Sequence, residues 1–126
     1  MTREETIKLL ALIKVAYPSA YRDMDNASKH ATVAMWHRSF GTVPYATMEL
    51  AFERYRATNR FAPSVSEISE VIRDIHYSAW FDVNAGRGIG DEDMQMRGQR
   101  IFDATLAFVH ALPEGGGDMP LLKEKT

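Results

Sequence analysis

Cysteine is absent from the 126-residue chain, which excludes disulfides, thiolate metal sites and cysteine nucleophiles together. No apolar run is long enough to span a bilayer. The opening Met1-Thr2-Arg3-Glu4-Glu5 and the breaks at Lys8 and Lys14 are unlike a secretion signal, which needs a basic start and an unbroken apolar core. The chain is therefore expected to stay in the cytoplasm that makes it. Charge of one sign is lacking too: the formal net charge is -2, so nothing draws the whole chain toward nucleic acid or an acidic membrane. Alternating apolar and polar residues are missing as well, which argues against strands.

Hydrophobic residues make up 45% of the chain and charged residues 25%, proportions of a globular protein. Helix signals recur along it. Thr2 and Glu5 form a capping box, and the helix after it carries Ile7, Leu9, Leu10, Leu12, Ile13 and Ala16, apolar on more than one face. Such a helix is expected at the centre, covered on two sides, and Pro18 stops it. Asp25 or Asn26 can cap a second helix running to Phe40, with Val33, Trp36, His37 and Phe40 on one stripe. A third begins near Pro44, where Tyr45, Met48, Phe52 and Tyr55 repeat at three and four. Ser64 and Glu67 form a second capping box before Val65, Ile68, Val71, Ile72 and Ile75.

The pattern predicts an all-α protein, with a four-helix N-terminal bundle over residues 1–78. Its core includes Leu10, Ile13, Trp36, Phe40, Phe52, Tyr55, Ile68 and Ile72. Residues 79–126 differ in character. A glycine-rich stretch with an acidic end, 84–93, reads as a linker. An amphipathic helix over 94–112 follows, then Pro113 and three glycines, then a flexible tail over 118–126. With the bundle already closed, that helix is expected to offer an apolar face to a partner: Ile101, Phe102, Thr105, Leu106, Phe108, Val109 and Leu112. Docking back on the bundle is the competing reading.

Signatures of chemistry do not assemble. Gly86, Gly88 and Gly90 lack the strand and the Gly-Lys-Ser/Thr ending that a phosphate loop needs. His30, His37, His76 and His110 have no metal-ligand spacing. They read as surface or packing residues. Several carboxylates have places as helix caps or in first turns. No serine sits in a nucleophile-elbow setting. No catalysis, cofactor or metal is expected. Arg54, Arg56 and Arg60 could grip phosphates with Tyr55 and Phe61 nearby to stack on bases. They equally suit a solvated helix C-terminus, which the overall charge favours.

The order of these signals resembles a known family. Ala16-Tyr17-Pro18, Ala31-Thr32-Val33 with Trp36, and Pro44-Tyr45 precede Tyr55-x-Ala57-Thr58-Asn59-x-Phe61-x-Pro63-Ser64. The run resembles the bacteriophage replicative-helicase loader/inhibitor family over residues 3–76, and the last motif is its most specific part. The resemblance implies a small helical N-terminal domain and a non-enzymatic adaptor of DNA replication in the host bacterial cytoplasm. Such an adaptor binds the replicative hexameric helicase, restrains it and passes it to a phage origin-binding initiator. No family motif falls beyond residue 79, so the helicase-binding role of 101–112 rests on amphipathicity and position. The alternative is a small phage DNA-binding or regulatory domain using the arginine face. Direct nucleic-acid contact is not expected under the first reading.

Overall fold

The computed structural model describes residues 1–89 and 92–112. They form five helices and no strand: α1 (Arg3–Ala16), α2 (Asn26–Phe40), α3 (Tyr45–Arg56), α4 (Val65–Ile89) and α5 (Glu92–Ala111). The chain divides into two compact units, Met1–Ser69 and Glu70–Thr126, and the division falls inside α4.

In the first unit both capping boxes close. The Glu5 N–H donates to Thr2 Oγ1 at 3.1 Å, and the Thr2 N–H returns a bond to Glu5 Oε1 at 2.8 Å. Ser64 and Glu67 repeat the exchange at 2.9 and 3.1 Å, opening α4. Asp25 caps α2 by accepting from the Ser28 N–H at 2.7 Å. These bonds hold the Glu5, Asp25 and Glu67 carboxyls below their usual range, with backbone donors the largest cause in each.

α1 packs on both α2 and α3, as a central helix should. Its buried face carries Thr6, Leu9, Leu10 and Ile13. The expected cover on a second side is missing: Ile7, Leu12 and Val15 are exposed, Val15 at 78%. Two neighbouring helices clothe only one face, and the apolar residues beyond it meet solvent. Trp36 lies against Phe40 with ring centroids 5.4 Å apart, and Tyr17 sets its edge toward Phe52 at 6.3 Å. The seven residues expected in the core that belong to this unit are buried, with Leu9, Val43, Met48 and Ala51 also buried, and Ile72 is buried in the second unit.

The second unit departs from expectation at its glycines. Where the glycines at 84–93 predict a linker, α4 runs on through Ile89 and α5 begins at Glu92. A glycine inside a helix costs about 1 kcal/mol relative to alanine. Burial just upstream opposes that cost, because Ile75, Ala79 and Val83 continue the apolar stripe of α4 and are all buried. The Asn84 amide also donates to the Trp80 carbonyl at 2.7 Å. Gly90, Asp91, the Pro113 stop and the tail at 118–126 lie outside the described residues.

Candidate functional site

α5 docks on α4, and a glycine sets how closely. A Cβ built at Gly98 would meet the Ala79 carbonyl oxygen and the Asp82 Cβ at 2.9 Å and the Val83 nitrogen at 3.0 Å. Two of those three atoms are backbone and cannot step aside. Further along, Thr105 projects from α5 into the contact. Its hydroxyl lies 2.7 Å from His76 Nδ1 on α4, and the His76 ring stacks on Phe102 at 4.2 Å. Burial, then the nearby His110, keep the His76 imidazole below its ordinary pKa.

This docking sorts the seven residues that sequence assigns to a partner surface. Thr105, Phe108 and Val109 are buried, while Ile101, Phe102, Leu106 and Leu112 are half-exposed. The apolar face of α5 therefore splits: one edge meets α4 and the other stays open. Phe102 belongs to both, stacked on His76 and lining a cleft of about 200 Å³ with Trp80, Val83, Asn84 and Gln99. Trp80 is half-buried and meets the exposed Phe81 edge-on at 5.0 Å. Sequence reasoning passed over both aromatics because they follow the stripe that ends the expected bundle. Two adjacent aromatics on a helix just upstream of an amphipathic one were the available signal.

The three arginines do not converge with a stacking platform. Arg54, Arg56 and Arg60 are all exposed, but Arg56 is held by Glu53 at 3.0 Å. Tyr55 is buried and its hydroxyl is engaged by the Phe61 carbonyl, 2.8 Å away. The motif that carries the family resemblance is architectural instead. The Asn59 amide donates to the Tyr55 carbonyl at 2.8 Å, finishing α3. The Tyr17 hydroxyl donates to the Asn59 carbonyl at 2.7 Å, and Ser64 caps α4. Phe61 is the large apolar side chain of this motif that faces solvent, 77% exposed.

Among the described residues no group of three histidines, aspartates or glutamates could hold a metal ion. No helix among them is long and apolar enough to cross a membrane. Gly86 and Gly88 lie within α4, with no strand before them among the described residues.

Comparison with known proteins identifies a family. The model for the N-terminal domain of a phage helicase loader/inhibitor matches residues 1–69. That span coincides with the first compact unit. No curated protein and no solved structure matches the chain.

Proposed function

Because the chain belongs to the family of phage helicase loader/inhibitors defined by that N-terminal domain, we propose that it binds the replicative hexameric helicase, restrains it and delivers it to an origin-bound initiator. It acts as a non-catalytic accessory to DNA replication in the host cytoplasm. The helicase-binding surface is the open edge of the α4–α5 pair: Ile101, Phe102 and Leu106 of α5 with Trp80 of α4, and Leu112 just beyond. Thr105, Phe108 and Val109 contribute indirectly, by holding α5 in place.

The observation that carries this reading is the half-exposed Trp80–Phe102 cleft on a docked helix pair. Aromatic side chains seated in partly closed pockets dominate the energetics of protein interfaces. A surface already ordered before binding also avoids part of the entropic cost of association. The test is helicase binding by the full chain, by Leu106→Ala and by Trp80→Ala, with helicity confirmed by circular dichroism. A hot-spot loss of about 2 kcal/mol weakens binding roughly thirtyfold. If both variants bind like the parent, the surface lies elsewhere.

A second reading, DNA binding through Arg54, Arg56 and Arg60, draws on the exposed Phe61 beside Arg60. It requires binding by the protein alone that falls steeply with salt, because phosphate contacts release counterions.

A further inference from the structure

The connection between α1 and α2 borders a cleft of about 370 Å³ inside the first unit. Its aliphatic lining comes from Leu10, Ala11 and Val33, and its charged lining from Lys14, Arg22 and Lys29 against the single carboxylate of Asp23. Lys14 donates to the Ala20 carbonyl at 3.1 Å and so pins the turn. Arg22 and Lys29 have no ion-pair partner among the described residues. Three cations thus line an apolar hollow with one carboxylate among them, a net positive rim.

The wall of the cleft is unfavourable to build. Tyr21 has φ 59° and Asp23 has φ 61°, the only non-glycine residues with positive φ among those described. That region suits glycine and is tolerated by an aspartate such as Asp23, but it is unfavourable for the bulky Tyr21. The Tyr21 hydroxyl is also buried without a hydrogen-bond partner, a further cost. An ordinary turn between Pro18 and the Asp25 cap would need neither feature. Strain of this kind concentrates where a fold holds a binding site ready.

We propose that this cleft is a docking site for an acidic amphipathic segment of a partner protein. One or two of the segment's apolar side chains enter between Leu10 and Val33, and its carboxylates pair with Arg22 and Lys29. The volume lies near the lower end of ligand pockets, about 300–1,000 Å³, which suits a few side chains. Tyr21 is the one aromatic residue of the lining, and a lone ring is a small platform for nucleic-acid bases, which bind where successive aromatics stack. The proposal does not depend on the helicase reading, whose surface is on α4 and α5.

The test is a titration of the ¹⁵N-labelled full chain with a short synthetic peptide that alternates leucine pairs with glutamate pairs. The same peptide with glutamine for glutamate and a thymidine oligonucleotide of similar length serve as comparisons. The expected result is saturable shifts of the Ala11, Lys29, Thr32 and Val33 amides by the glutamate peptide. Binding should weaken roughly tenfold in the Arg22→Glu/Lys29→Glu double variant and with the glutamine peptide. Ala11→Trp, which fills the cleft from an exposed position, should abolish it. The proposal is overturned if the glutamine peptide binds as tightly, or if the cleft responds more strongly to the oligonucleotide. It is equally overturned if Leu121→Asp/Leu122→Asp moves the cleft amides of the unligated chain, which makes its own tail the occupant. Concentration-dependent dimerisation lost in Ala11→Trp would overturn it in favour of a second copy.

Discussion

His76 is 4% exposed, with Thr105 at its Nδ1 and Phe102 across its ring face. Its pKa is depressed in the fold, so the native state accepts the neutral ring and resists the charged one. The unfolded chain, with an ordinary value of about 6.5, takes up the proton more readily. The stability tied to this group is therefore complete above about pH 6.5 and is lost as pH falls from there through the depressed folded value. Helicity and melting temperature should decline as pH falls below about 6.5, and His76→Gln should flatten the decline. A variant profile as steep as the parent's would assign the effect to other groups. The capping carboxylates do not confuse the test, because their contribution is lost only below about pH 4.5. Trp36 makes a simpler case. Cutting it to alanine should cost about 3–5 kcal/mol, much of the 5–15 kcal/mol (roughly) that holds a small domain together. Denaturant titration measures that loss directly, and a parent-like midpoint would refute the packing of α2. Core positions such as Trp36 and Ile72 were legible because apolar spacing dictates burial. The left-handed Tyr21 was not, since nothing in a tyrosine favours positive φ.

α5 shows where sequence reasoning stops at the level of a helix. Its amphipathic pattern requires an apolar face to be covered, and the same pattern serves a partner or its own chain. What decides the matter is Gly98, whose missing side chain admits the α4 backbone. As a lone glycine inside a helical pattern it signals little from sequence. In the structure it is a contact requirement. Gly98→Val should force the two helices apart and expose Val109 and Phe108, at a cost of about 1–3 kcal/mol or more. Hydrogen exchange would report it as faster amide exchange along α5, with α1 and α2 unchanged. Protection equal to the parent's would mean the close approach is dispensable. The linker expected at 84–93 fails for a related reason: local glycine content argued against helix, and burial of Ala79 and Val83 outweighed it.

At the scale of the chain, the all-α class and the capped N-terminal helices followed from the sequence, because caps and spacing are local signals. The division into two compact units falls within a continuous helix that no local break marks. Only Val65 to Ser69 of α4 belong to the first unit, little more than one turn, and that turn carries the fully buried Ile68. A solitary turn is the unfavourable nucleus of helix formation, and added residues offset it by propagation. The first unit therefore relies for its fourth helix's nucleation on residues that belong to the second. A fragment ending at Ser69 should melt below the same unit in the full chain, and one extended to Val83 should recover part of the difference. Equal melting of the short fragment and the full chain would show the nucleus to be self-sufficient. With the nucleus shared across the boundary, any event that frays α4 beyond Ser69 loosens Ile68 from the far side, so the family-defining unit has a stability set partly by sequence outside it.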